Sequence, residues 1–251
     1  AGSHTIYNTT YNEMIDYHIQ KGADVTIMYN DEKSFNPDDQ FDDLRLSLNA
    51  DGRVNDLEID PYRPKTSHQS CDVMILEKTL LEYLVEEAAA HASHDFIRDI
   101  LIKKVNTLKI YGYRYEGYVA RLSSMSVYYG HNMDLMKPEV RADIFNPDHP
   151  IYTKVKDEVP ARYGHNSKVK NSFIADGCVI EGTVENSILF RGVRIAEGAV
   201  VRNSIIMQAT DVQEGCDIDY VITDKGVVIK RGRRLSGHNS FPVVLRKGMT
   251  V

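Results

Sequence analysis

Several groups of residues in this sequence have types and spacings that chemistry could use. His91 and His94 stand as H-x-x-H before Asp95, one helical turn apart, a spacing that can bring two imidazoles to one metal. No third ligand follows at a suitable distance, so the pair reads as helix-end histidines and no metal site is expected. The cysteines, Cys71, Cys178 and Cys216, are odd in number, lie far apart and form no C-x-x-C. They frame neither a disulfide scaffold nor a zinc site, and Cys178 and Cys216 read as small core residues. From Lys225 onward there are seven Lys or Arg and no Asp or Glu. Within that tail Lys225, Arg231, Arg233 and Arg234 are candidate contacts for an anionic effector, because cationic side chains hold phosphates through charge-assisted hydrogen bonds. The plainer reading is a solvated end whose charges block edge pairing. Residues 31–43, "DEKSFNPDDQFDD", are strongly acidic and read as a solvated face. The fifteen tyrosines, several in "YGYRYEGY" and "VYYGH", fit half-buried strands better than a stacking platform.

The rest of the chain must position these residues. With 251 residues, 42% hydrophobic and 26% charged, it can form one large domain or two ordinary ones with a real core. The net charge of −6 offers no basic face for nucleic acid. No apolar run reaches membrane length, and "AGSHTIYNTTYNEM" has no basic region followed by an apolar one, so no signal peptide is expected. Together with the cysteine usage, this points to a reduced, cytoplasmic protein.

The N-terminal half reads as mixed α/β. "YNEMIDYHIQKG" places Met14, Ile15, His18 and Ile19 on one helical face, with Gly22 placed to end the helix. "DVTIMYN" reads as a strand. "LRLSLNADGRV" alternates with period two around a turn signal, hence a hairpin. "EKTLLEYLVEEAAAHA" and "HDFIRDILIKKV" read as helices, and "LKIYGYRYEGYVARL" as strands. The serines opening "SSMSVYYGHNMDLM" can cap another helix. "IFNPDHPIYTKVKDEVPARYGHN" lacks periodicity, holds three prolines and reads as a linker.

After it the sequence nearly repeats itself. Ile174 to Ile180, Ile195 to Val201, Val212 to Ile218 and Ile229 to Leu235 each carry an aliphatic residue, Gly three later and an aliphatic three after that. Their starts lie 21, 17 and 17 residues apart, separated by "NSFI", "NSIL", "NSII" and "YVIT". Such periods mark a β-solenoid. A triangular parallel β-helix explains them: each face sends one aliphatic inward, Gly serves a corner, and only stacked coils bury the interior. A rigid stack suits assembly better than chemistry. A hexapeptide acyltransferase would need a histidine between coils, and Val169 to Leu235 holds none.

"YNEMIDYHIQKGADVTI", "SHDFIRDIL", "YYGHNMDLM" and "NSFIADGCVIEGTVENSILFRGVRI" together resemble bacterial glucose-1-phosphate adenylyltransferase (ADP-glucose pyrophosphorylase), and within it the GlgD-type subunit, over nearly the whole chain and in the same order. The resemblance implies part of a Rossmann-like nucleotidyltransferase domain at 1–145, a linker at 146–168 and a left-handed β-helix of hexapeptide repeats at 169–251. The family's Gly-rich phosphate loop lies upstream of the matched stretch, so the nucleotide-binding half is expected to be absent here.

The resemblance also assigns roles, and this chain departs from several. The family holds magnesium with two aspartates; Ser3 stands in one place and Arg121 in the other, and a cation there repels a metal. The family's phosphate-binding lysine is replaced by Asp60, of the wrong sign, and a glycine beside the sugar by Leu44. Ser70, Asp95 and Phe96 match substrate-side residues as remnants. The implied protein is a non-catalytic, regulatory subunit in glycogen biosynthesis, itself without cofactor. It would join a catalytic subunit that uses Mg2+ and ATP, as a heterotetramer, or form a homo-oligomer alone. The rival expectation is an active sugar-phosphate nucleotidyltransferase whose metal ligands lie outside this chain.

Overall fold

The computed structural model describes residues 2–31, 43–153 and 155–251. Of the acidic stretch 31–43, only its two ends therefore fall within the described residues. The chain divides into two compact units, Ala1–Ser123 and Ser124–Val251.

The first unit runs β1 (Thr5–Ile6), α1 (Asn12–Lys21), β2 (Val25–Asp31), β3 (Leu44–Leu48), β4 (Val54–Ile59), β5 (His68–Leu76), α2 (Lys78–Ala90), a π-helical turn (Phe96–Leu101), α3 (Ile102–Lys104), β6 (Ile110–Arg114) and β7 (Ala120–Arg121). Five strands form one mixed sheet in the order β4-β3-β5-β2-β6. The β2–β6 pair is parallel and the β2–β5 pair antiparallel. The expected hairpin is β3–β4, with Asn49 N–H donating to the Arg53 carbonyl across the turn. β1 pairs with β7 in a two-stranded sheet. One side of the main sheet buries Val25, Ile27, Leu44, Leu46, Leu101 and Ile110.

Gly22 ends α1 in the left-handed conformation, as its sequence position predicts. The buried face of α1 is narrower than expected. Met14 is buried and His18 bonds the Thr26 hydroxyl at 2.8 Å, whereas Ile15 and Ile19 are exposed. Residues four apart share a face, and the sheet covers only the Met14–His18 row.

The second unit begins with α4 (Met125–Asp134), whose cap is the expected serine: Ser124 Oγ accepts from Val127 N–H at 3.2 Å. α5 (Pro138–Ile144) follows. The expected boundary at residue 145 is displaced, because both helices lie with the solenoid. Tyr129 packs with Ile205 and Ile222 and donates its hydroxyl to the Asn203 carbonyl, and the Arg141 guanidinium stands 5.2 Å over the Phe173 ring.

The solenoid is built from three parallel five-stranded sheets. One holds β8 (Arg162–Tyr163), β11 (Val179–Ile180), β14 (Arg194–Ile195), β17 (Asp211–Val212) and β20 (Val228–Ile229). The second holds β9 (Lys168–Lys170), β12 (Thr183–Glu185), β15 (Val200–Arg202), β18 (Asp217–Asp219) and β21 (Arg234–Ser236). The third holds β10 (Phe173–Ile174), β13 (Ile188–Leu189), β16 (Ile205–Ile206), β19 (Val221–Thr223) and β22 (Val243–Leu245). Coils therefore start at Arg162, inside the stretch expected to be linker. Ile180, Ile195, Val212 and Ile229 form one inward stack, and Val184, Val201 and Ile218 another. Ile174 pairs with Leu189, not Ile195, so the first of the four repeat pieces belongs one face away from the other three. The coil joining β10 to β13 advances 15 residues where the next two on that sheet advance 17, and this shortened coil produced the slip. Gly177, Gly198 and Gly215 turn corners with positive φ. Asn171, Asn186 and Asn203 turn another type of corner the same way, with φ of 43°, 46° and 46°.

Burial lowers the His131 pKa on α4, with Asp134 3.8 Å away opposing the shift. A histidine lowered on folding favours the native state above the unfolded value of ~6.5 and loses that contribution as pH falls through ~6.5 toward the folded value. His131→Asn is therefore expected to flatten the fall in stability between about pH 7 and pH 5 in urea titrations. An unchanged slope would contradict the assignment.

Candidate functional site

The candidate site gathers around Asp72 on β5, a residue that the sequence reading did not select. Its backbone takes φ 57°, a left-handed conformation that Asp tolerates better than most residues. Its Oδ2 stands 3.0 Å from the Thr5 hydroxyl, 3.0 Å from His4 Nε2 and 3.6 Å from the Arg121 guanidinium. The Asp72 carbonyl accepts from Gly2 N–H, and Asp72 N–H donates to Ser70 Oγ at 3.0 Å. Arg121 also donates to the Ser70 carbonyl at 3.0 Å. β1, β5 and β7 are thus tied through one carboxylate. The approach is close enough that a Cβ at Gly2 would come within 2.9 Å of the Asp72 Cβ. The neighbouring Cys71 thiol is pushed up to about 12, mainly by burial and secondarily by Asp72, with Arg121 opposing. A thiol held that high stays protonated near neutral pH.

Arg121 is only 8% exposed, and Ser3 is exposed. At the place where the resemblance puts two metal carboxylates, the chain holds a hydroxyl and a buried guanidinium already engaged with Asp72. Magnesium asks for hard oxygen donors in octahedral array, and a guanidinium at ion-pair distance opposes it. The donor set here does not suit magnesium. Among the described residues no group of three or more His, Cys, Asp or Glu is placed to hold a metal ion. His91 Nδ1 bonds the Glu87 carbonyl, and the His94 backbone N–H donates to Asp99.

The residues matched to the sugar-phosphate side form a second cluster. Asp60, with φ 47°, accepts from Asp43 N–H at 2.7 Å, and its other oxygen is 3.9 Å from Arg98. Arg98 also lies 3.5 Å from Asp95. A phosphate would meet two carboxylates and one shared cation. Asp43 is itself buried against Arg45 at 2.8 Å and takes a hydrogen bond from Gln69. Leu44 is buried in the core of the sheet. Ser70 is 2% exposed, and both its oxygens are spent on Asp72 and Arg121. Asp95 caps the π-helical turn, accepting from Ile97 and Arg98 N–H at 2.9 Å, and Phe96 packs on the core. Each of these side chains is engaged within the first unit. Asp95→Ala is expected to cost about 1 kcal/mol, the usual worth of a lost cap, read from urea midpoints; no change would contradict the capping role.

The four tail cations are not brought to one place. Lys225 stands before β20, whereas Arg231, Arg233 and Arg234 surround the corner after it. Arg234 pairs with Asp217 at 3.4 Å, Asp217 also pairs with Arg202 at 2.6 Å, and the groove lined by Arg202, Asp217, Asp219 and Arg234 carries balanced charge. Asp72 had one sequence signal, a lone charge in the apolar run "CDVMIL", but its partners lie far away in the chain.

Residues 157–240 match the sequence family described as GlmU-like, C-terminal hexapeptide. Over 249 residues the chain is 35% identical to the glycogen biosynthesis protein GlgD of Bacillus subtilis, covering 99% of this chain and 62% of that protein. It is 32% identical over 241 residues to a glucose-1-phosphate adenylyltransferase of Fervidobacterium nodosum, covering 95% of this chain and 57% of the relative. A glucose-1-phosphate adenylyltransferase of Bacillus anthracis matches at 32% over 235 residues, 92% of this chain and 61% of the relative. The chain is thus similar in sequence to GlgD and to the glucose-1-phosphate adenylyltransferases. It spans about three fifths of the length of these relatives. No helix among the described residues is long and apolar enough to cross a membrane.

Proposed function

We propose that this chain is part of a GlgD-like, non-catalytic subunit that serves ADP-glucose formation in glycogen biosynthesis by joining a catalytic glucose-1-phosphate adenylyltransferase subunit and tuning it. The observation that carries the reading is the pairing of the buried Arg121 with the partly buried Asp72. A guanidinium neutralised inside the protein cannot be exchanged for a metal without leaving a buried charge unpaired. Metal-dependent transfer of a nucleotidyl group depends on that cation to offset developing charge. Asp60 adds to the case, since a carboxylate beside Asp95 disfavours a sugar phosphate. The α/β unit then keeps the fold as scaffold, and the solenoid supplies a rigid surface for assembly. Mg2+ and ATP belong to the catalytic partner, a heterotetramer is the assembly, and the compartment is the cytoplasm.

The test is sedimentation of this protein with a catalytic subunit from the same source, together with turnover of this protein alone in Mg2+, ATP and glucose 1-phosphate. A mixed species heavier than either component, and no ADP-glucose from this protein alone, is the expected pair of results. Separate sedimentation would remove the assembly role, and turnover alone would remove the non-catalytic one.

A further inference from the structure

The Asn-Ser corners of the solenoid form an internal comparison. Three identical dipeptides, Asn171-Ser172, Asn186-Ser187 and Asn203-Ser204, turn the same kind of corner in successive coils. Their side chains make a directional ladder. Asn171 Nδ2 donates to Asn186 Oδ1 at 2.7 Å, Asn186 Nδ2 to Asn203 Oδ1 at 3.4 Å, and Asn203 Nδ2 to Asp219 Oδ1 at 2.9 Å. Asp219 accepts only, so it fixes the direction of the whole row.

The backbone is held unequally. Asn186 N–H donates to the Lys170 carbonyl and Asn203 N–H to the Glu185 carbonyl, each at 3.1 Å. Ser187 N–H donates to Ser172 Oγ at 3.2 Å, and Ser204 N–H to Ser187 Oγ at 3.1 Å. Tyr129 additionally bonds the Asn203 carbonyl. Asn171 sits in the first coil, with no coil beneath it. Among the described residues neither its N–H nor the Ser172 N–H has an acceptor, and Asn171 is exposed while Ser187 and Ser204 are fully buried.

We infer that Asn171 is a site of spontaneous deamidation, and that Asn186 and Asn203 are protected from it by the coils below them. The Ser172 backbone nitrogen attacks the Asn171 side-chain carbonyl carbon; a C–N bond forms, the amide C–N bond breaks, and ammonia leaves. Water then opens the cyclic imide at either carbonyl, leaving Asp or isoaspartate at position 171. The attack requires the backbone to rotate out of the left-handed conformation. At the open end of the ladder that rotation breaks the Asn171–Asn186 side-chain bond but no N–H bond to a coil beneath, and opening costs least where few bonds are lost. The product replaces the Asn171 donor by an acceptor facing Asn186 Oδ1. The ladder cannot reverse to relieve this, since Asp219 has nothing to donate.

The test is incubation of the folded protein at mildly alkaline pH, followed by peptide mass spectrometry that resolves Asp from isoaspartate at all three positions. Conversion at Asn171 on the order of tenfold faster than at Asn186 or Asn203 is expected, the factor following from their difference in local opening. Ser172→Val, which crowds the attacking nitrogen, is expected to slow it. Equal rates at the three positions, or conversion confined to Asn186 or Asn203, would overturn the inference, as would no conversion at Asn171 while the same peptide converts when unfolded.

Discussion

Asp72→Asn is expected to destabilise the first unit by roughly 2–3 kcal/mol. The substitution keeps the shape of the side chain and its tolerance for φ 57°. It removes only the charge that faces Arg121 and His4. Breaking a fully buried pair from one side costs roughly 3–5 kcal/mol, because the remaining charge is left uncompensated. The Asp72 side chain is 20% exposed, which lowers the figure. The double variant Asp72→Asn/Arg121→Met should recover much of the loss, and a coupling of at least ~1 kcal/mol between the two changes is the signature of a direct pair. Unfolding in urea measures all four corners of that cycle. Strictly additive losses would mean that Arg121 is held by something other than Asp72, and the account of the missing metal site would lose its support.

Gly182→Ala is the largest single change expected in the solenoid, about 3 kcal/mol or more. Gly182 has an ordinary backbone conformation, and its difficulty is space. A Cβ there would run into the Ala199 carbonyl oxygen and reach 2.7 Å from the Ala196 carbonyl oxygen. Both are backbone atoms of the next coil, and Thr183 N–H bonds that same Ala199 carbonyl at 2.8 Å. Neither can move without opening the stack. Gly192→Ala is the contrasting variant. Its φ of 66° disfavours a side chain, yet nothing lies within 4 Å of the added atom, so it should cost only about 1 kcal/mol. Urea midpoints for the two variants should therefore separate clearly; equal losses would mean that conformation, not the coil-to-coil approach, decides which glycines matter.

Much of the solenoid could be read directly because every coil repeats the same demand for an inward aliphatic residue. That same uniformity explains the slip at Ile174. A shift of one face places an aliphatic wherever one is needed, so spacing alone cannot detect a coil two residues shorter. The helix stop at Gly22, the hairpin at Asn49–Gly52 and the Ser124 cap were legible because each depends on neighbours within a few residues. The candidate site was legible only in part. The types of residue at Ser3, Asp60 and Arg121 indicated that metal and phosphate chemistry was in doubt. Their partners did not show, because Asp72 meets Thr5 across 67 positions and such pairings depend on the sheet. The same holds for α4, whose place beside the solenoid rests on Tyr129 reaching Ile205 and Asn203.

The most direct test of the central claim is ADP-glucose formation by the catalytic subunit from the same source, assayed with and without a saturating amount of this protein, with this protein alone as blank. The account predicts no product in the blank and a clear change in the activity of the mixture. Substantial product from this protein alone would contradict it, and would mean that the Arg121–Asp72 pair does not occupy the place of the metal.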